Sequence, residues 1–372
     1  MRLVINIIVL IIFFSIQESY SFETKAKQAI LLDYESGEIL YSKNANEKAF
    51  PSSMTKIMTA YLIFEDLESG KLKLTDKIEI TNDAWKQVGS RMFLNIGSKV
   101  SVDDLLKGLI VQSGNDSAYA LAEGSTGSVD EFVEKMNNKA QELGLENTKF
   151  TNPIGFSDDG HYMSVKDTAI LSEKLIKRFP QYYIKYFSMP EFKYNNILQH
   201  NRNQLLGKYD GVDGIKTGHT EAGGYSLATS AFKDNRRLIS VVNGTTSELE
   251  RTEESKKLLD YGFLTLTRYK IYEKGESIEQ VPVLYGKQKY VNAISNNTIY
   301  ATVKNKNQIS TKIDLKQGLK APIKKGEKIG EISIKTEISE RTFDLYASND
   351  VEEVGIFKKI LLKIYYFFKN IF

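Results

Sequence analysis

Residues 50–59 read Phe50-Pro51-Ser52-Ser53-Met54-Thr55-Lys56-Ile57-Met58-Thr59. Proline suits the first turn of a helix, and an apolar run continues to Glu68, where Ser69-Gly70 closes it. The pattern predicts a helix over Ser53 to Glu68. Positions i and i+3 share a helix face, about 4.5 Å apart along the axis, so the Lys56 amine can reach the Ser53 hydroxyl. A serine hydroxyl is a poor nucleophile until a base takes its proton. The positive end of the helix favours an alkoxide and disfavours an added ammonium. Both effects push Lys56 towards a neutral base. On its own, Ser-x-x-Lys is more often plain helix surface.

Outward from this stretch the chain reads as α+β. Upstream, residues 27–43 alternate as a hairpin about Glu35-Ser36-Gly37. Downstream, Ser101-Val102-Asp103-Asp104 resembles a capping box. It opens a helix that Ser113-Gly114-Asn115 interrupts and Asp116 to Glu123 resumes. Helices are predicted over Val129 to Leu143 and Val165 to Arg178. Strands follow at Val212 to Thr217, Tyr225 to Phe232 and Leu238 to Asn243, then a helix from Glu248 to Tyr261. The pattern is an antiparallel sheet with inserted helices. From about Lys270 to Asp350 only short alternating runs remain, which predicts a small all-β domain.

Two further motifs carry chemistry. Ser113-Gly114-Asn115 is a polar break among apolar residues, and buried polar groups need partners. Its functional reading makes Ser113 a proton relay beside Ser53 and Lys56, with Asn115 holding a substrate amide. Its bland reading is an interhelical turn. Lys216-Thr217-Gly218 lies near a strand end. An edge strand there could pair with an extended peptide, Lys216 and Thr217 could meet a carboxylate, and Gly218 would allow close approach. The alternative is a turn with a solvated lysine.

Composition narrows the field. The chain has 372 residues, a formal net charge of +3 and 41% hydrophobic residues. The length suggests two domains, and the charge gives no support for nucleic-acid binding. With no cysteine and only three histidines, thiol catalysis and a His-rich metal centre are not expected, and no cofactor is. Residues 1–21 read as a signal peptide, with Arg2, an apolar run from Leu3 to Ile16, and Ser19-Tyr20-Ser21 before the expected cleavage at Phe22. Gly355 to Phe372 reads as an amphipathic helix. On a helical wheel, Lys358, Lys359, Lys363, Lys369 and Asn370 fall in one arc and apolar residues cover most of the rest. Such a helix would lie in a membrane interface with its lysines towards anionic headgroups.

The three motifs, in this order, make the set found in β-lactamases and penicillin-binding proteins. The sequence closely resembles the low-molecular-mass penicillin-binding proteins that are D-alanyl-D-alanine carboxypeptidases. The likeness extends to GLIVQSGNDSA (Gly108 to Ala118), Asn152-Pro153-Ile154-Gly155, DGIKTGH (Asp213 to His219) and ESKKLL (Glu254 to Leu259). It implies a penicillin-recognising serine transferase domain over residues 22–267, a small β domain over 268–350 and an anchor helix over 351–372. The implied substrate is the peptidoglycan stem pentapeptide, with β-lactams as covalent inhibitors and an exported enzyme facing the periplasm. Backbone N–H groups of Ser53 and His219 would form the oxyanion hole. Arg251, and more weakly Arg202, would meet the substrate's terminal carboxylate. Ser52 stands where the family often has alanine, and Gly223-Gly224 where one glycine is usual. A class A β-lactamase would carry Glu-x-x-Leu-Asn between the second and third motifs, and no such run occurs. An endopeptidase on the same fold and a non-catalytic wall-binding scaffold remain alternatives.

Overall fold

The computed structural model describes residues 22–369. The expected signal peptide, residues 1–21, and Asn370 to Phe372 lie outside the described residues. The chain opens with the expected hairpin, β1 (Gln28–Asp33) and β2 (Ile39–Lys43). The next segment departs from expectation. Ser52–Thr55 is a 3-10 turn, and α1 spans Lys56–Glu68. The first N–H groups of a helix have no partner four residues back. The tighter bond from Met54 N to Pro51 O, 3.1 Å, fills that gap.

Ser101 caps α2 (Val102–Lys107). Its hydroxyl accepts from Asp104 N at 3.1 Å, the first half of the expected capping box; for the second half, the Asp104 carboxylate accepts from the Ser101 hydroxyl at 2.7 Å instead of from its backbone N–H. A wide π turn, Gly108–Gln112, then delivers Ser113 in the left-handed region at φ 64°. Helix α3 (Asn115–Thr126) resumes there, followed by α4 (Val129–Glu142) and α5 (Val165–Arg178). The reading of the sequence stopped at Arg178. The structure adds α6 (Pro180–Phe187), with proline in its first turn, and a ribbon of Glu191–Tyr194 with Ile197–His200.

Strands β3 (Val212–Thr220), β4 (Gly224–Lys233) and β5 (Arg236–Thr245) complete one antiparallel sheet in the order β2-β1-β5-β4-β3. β3, which carries Lys216-Thr217-Gly218, is an edge strand. Alternation sorts the faces. Ile30, Leu32, Ile239 and Val241 join the helical core with Leu171 and Leu175 of α5. Ala29, Leu31, Leu238 and Val242 pack with Leu258 and Leu259 of α7 (Glu248–Asp260) on the other side.

The small all-β region is present. β6 (Thr267–Tyr272) pairs with β9 (Ile299–Val303). β7 (Ser277–Pro282), β8 (Tyr290–Ile294), β10 (Ser310–Leu315), β11 (Lys328–Lys335) and β12 (Glu340–Ala347) form a five-stranded sheet in the order β7-β8-β12-β11-β10. The reading had not placed β6 or β8. Helix α8 spans Ile356–Lys369. Among the described residues no helix is long and apolar enough to cross a membrane.

Charged groups at the turn of the β1–β2 hairpin bind the two regions together. Buried Asp33 accepts from Arg236 Nε at 2.8 Å and from Arg268 Nη1 at 3.3 Å. Buried Glu38 lies 3.3 Å from Arg341 Nη2, and Arg341 Nη1 donates to Ser36 O at 3.1 Å. Removing one member of a buried ionic group leaves the other charge uncompensated, at a cost of about 3–5 kcal/mol. Asp33→Ala is therefore expected to lower stability by that order, read as a lower urea midpoint; an unchanged midpoint would contradict the role given to this carboxylate.

Candidate active site

The turn that carries Ser53 is held in an uncommon backbone state. Ser52 sits at φ 50°, in the left-handed region that L-residues seldom adopt. Gly155, at φ 91°, passes so close to it that a Cβ would overlap the Ser52 carbonyl. On the other side, a Cβ at Gly218 would stand 3.1 Å from Ser52 Cβ. The Ser52 hydroxyl lies 3.1 Å from Thr220 Oγ1, tying the turn to the end of β3. Ser53 is thereby pinned between the 152–155 loop and the edge strand.

Lys56 is buried at the start of α1. Its amine donates to Ser53 Oγ at 3.0 Å, Asn115 Oδ1 at 2.7 Å and Ile154 O at 2.8 Å. Burial pushes its pKa from the ordinary lysine value down to about 7; Arg202 pushes the same way and Asp116 opposes. Lys216 is also buried, and burial first, then Lys56, Arg202 and Arg251, hold its pKa well below the usual range. Its amine donates to Thr217 O at 3.1 Å.

Ser113 lines the same cleft as Ser53, and its buried hydroxyl has no hydrogen-bond partner. The expectation for Asn115 was a contact with a substrate amide. Here both ends of its own amide are engaged, Oδ1 by Lys56 and Nδ2 by Val88 O at 2.6 Å. Its backbone N–H also donates to Ser90 O at 2.7 Å. The cleft has a volume of about 380 Å³. Thr217, Gly218 and His219 of β3 form one wall, and Arg202, Glu248 and Arg251 close an end. Arg251 is buried, 3.5 Å from Gly218 O and 3.4 Å from Arg202 O, with its guanidinium 5.7 Å from the Tyr225 ring centre. His219 stacks on Tyr225 with ring centres 3.9 Å apart. The structure thus brings all ten sequence-derived candidates to one cleft or its immediate wall.

Several contributors were not singled out from the sequence. Buried Asp116 accepts from Met92 N at 2.9 Å and Leu94 N at 3.2 Å, strapping residues 88–94 over the site. His161 Nδ1 accepts from Thr151 N at 3.1 Å, which leaves Nε2–H to donate to Thr55 Oγ1 at 2.9 Å. Burial lowers the His161 pKa to about 4, so the ring is neutral near pH 7. The Asn152 side chain accepts from Gly155 N at 2.7 Å and shapes the loop that presents Ile154 O. The signals for these were the Asn-Pro-Ile-Gly segment and, for Asp116, the GLIVQSGNDSA segment, and both came through resemblance. Among the described residues no group of acidic and histidine side chains is arranged to hold a metal ion.

Residues 15–247 match the family described as D-alanyl-D-alanine carboxypeptidase, peptidase S11. The chain belongs to that family. Residues 267–353 match the penicillin-binding protein 5 C-terminal domain. D-alanyl-D-alanine carboxypeptidase DacF of Bacillus subtilis is 39% identical over 84% of this chain and 82% of its own. DacA of Haemophilus influenzae is 40% identical over 90% of this chain and 87% of its own. Penicillin-binding protein 5 from Haemophilus influenzae, a crystal structure, superposes with a TM-score of 0.84 at 38% identity, covering 90% of this chain and 99% of that one. Penicillin-binding protein D2 from Listeria monocytogenes, with ampicillin bound, gives a TM-score of 0.60 at 29% identity, over 65% of this chain and 99% of that one. Members of this family are serine hydrolases, and the cleft holds a serine with a lysine beside it.

If Lys56 must be neutral to accept the Ser53 proton, activity is lost as Lys56 gains a proton. The acidic limb of kcat/KM should therefore rise with pH through about 7. A limb that stays flat from pH 5 to pH 9 would remove Lys56 from the role of base.

Proposed function

We propose that this chain removes the terminal D-alanine from peptidoglycan stem pentapeptides through an acyl-enzyme on Ser53. The observation that carries the reading is the buried Lys56 amine, its pKa depressed, 3.0 Å from Ser53 Oγ. Lys56 takes the hydroxyl proton as Ser53 Oγ bonds to the carbonyl carbon of the penultimate D-alanine. Backbone N–H groups of Ser53 and His219 receive the developing oxyanion. The intermediate collapses, the C–N bond breaks, and the proton passes to the leaving amine, with the unpartnered Ser113 hydroxyl as relay. Water then adds to the ester and restores Ser53. Asn115 holds Lys56 in place, β3 pairs with the extended substrate, and Lys216, Thr217, Arg251 and Arg202 receive its carboxylate. A β-lactam would acylate the same serine, as the ampicillin-bound relative suggests.

The assay is D-alanine release from a short peptide ending in D-Ala-D-Ala. Ser53→Ala should lose at least about 10³-fold in rate and form no covalent penicillin adduct. Release undiminished in that variant, or a penicillin adduct still formed, overturns the assignment of the nucleophile.

The same reading divides the chain at residue 267 into a catalytic and a small β domain, and makes residues 1–21 an export signal. It places the protein on the periplasmic face of the cytoplasmic membrane, held by residues 351–372. Its support is the exposed apolar surface of α8, where Phe357 is 88% exposed and Leu361 67%. Removing residues 355–372 should move the exported protein into the soluble fraction with peptide hydrolysis retained. Membrane sedimentation undiminished by that deletion would refute the anchor.

A further inference from the structure

Helix α8 turns the opposite way from a helix that completes a core. Ile356, Phe357, Ile360, Leu361, Ile364, Tyr365 and Phe367 are each more than half exposed. The side against the protein is the polar arc. Lys359 pairs with the Glu353 carboxylate, and the Tyr366 ring meets the Tyr285 ring edge-on at 6.1 Å between centres. At 100° per residue, Lys359, Leu362 and Tyr366 share one side of the helix. This corrects part of the sequence reading, which turned all the lysines towards headgroups: Lys359 is engaged by the protein.

Other cations stand beside the helix. Three segments of the small domain are woven together at its foot. Leu284 bridges to Lys320, Gly286 to Glu353 and Ile323 to Val351. Lys287 N donates to Glu352 O, and Val354 N to Tyr285 O. Exposed positions of these segments carry Lys289, Lys320, Lys324 and Lys325, and none has a carboxylate at ion-pair distance among the described residues. Two of the nearby acids are paired with other lysines. Glu352 pairs with Lys287 and Glu353 with Lys359. Asp350 accepts from Lys325 N and Glu327 from Lys324 N. Tyr290, 54% exposed, adds an aromatic ring.

We propose that this woven end of the small domain is a second membrane contact, selective for anionic lipid headgroups, acting beside the helix. The proposal rests on the anchor reading given above. An interfacial helix sinks its apolar face about 5–10 Å into the headgroup and acyl boundary. With that face turned away from the domain, the loops flanking the helix come to the headgroup layer. There the four lysines would feel the surface potential of an anionic membrane, which reaches roughly 8 Å at physiological salt. Helix and loops together would hold the domain by one side rather than by a single tether.

The test compares the exported, processed protein with its K289Q/K320Q/K324Q/K325Q variant in vesicle sedimentation. Vesicles are phosphatidylcholine alone, or phosphatidylcholine mixed with phosphatidylglycerol. The wild type should bind the mixed vesicles more tightly, and added salt should narrow the difference. The variant should lose about tenfold or more on mixed vesicles, keep wild-type binding to phosphatidylcholine, and keep full D-alanine release. Equal binding of variant and wild type to mixed vesicles overturns the proposal and leaves the helix as sole anchor. A wild type that binds neither vesicle overturns the anchor reading itself, and this proposal with it.

Discussion

The site depends on keeping Lys56 out of water. An ammonium in an apolar interior is costly, so the lysine releases its proton more easily than in solution. On the proposed mechanism, that shift is what lets the buried Lys56 act as a base for Ser53 near neutral pH. Maintaining it requires closure on every side: α1 supplies the lysine, α3 supplies Asn115, and the 152–155 loop supplies a carbonyl. Each of these acceptors can also stabilise the protonated amine once it has taken the serine proton. The same surroundings therefore serve both protonation states of the cycle.

The remaining architecture is arranged around that closure. The left-handed Ser52 turn needs a glycine at 155 to pass beside it, and Gly218 to let β3 approach. The Asp116 carboxylate and the His161 ring are buried, and neither points at the nucleophile. One anchors the 88–94 strap and the other anchors Thr55, which lies between Ser53 and Lys56. A well-packed scaffold fixes reacting groups to within fractions of an ångström, which catalysis of this kind requires.

Much of this was legible in the sequence because it is encoded locally. Ser53 and Lys56 are three residues apart, the Ser113-Gly114-Asn115 break interrupts a helical period, and β3 to β5 alternate as strands do. What escaped the sequence is encoded by distance in space. The Ile154 carbonyl that holds Lys56 belongs to a residue whose side chain says nothing of it. His161 and Thr55 are over a hundred positions apart. Helix α6 and the 191–200 ribbon follow too closely on α5 to stand out by period. The 3-10 entry to α1 arises from the Ser52 turn, which no propensity at Ser53 reveals. In the small domain, β6 and β8 were lost among polar residues because one of their faces meets solvent.

The concentration of cations in the cleft has a consequence for the kind of bond the enzyme selects. Arg202 and Arg251 close one end of the cleft beside Glu248, half exposed at the rim and 3.4 Å from Arg251. At that end two guanidiniums face one carboxylate, and a bound carboxylate would balance the second. On the proposed mechanism a free carboxylate beside the scissile bond would do so, whereas an amidated or internal peptide would leave the guanidiniums with Glu248 alone. Preference for a chain terminus would then be a matter of charge balance at the two arginines. On this reading, the arginines that would select a chain end and the buried lysine that would activate Ser53 are parts of one cleft.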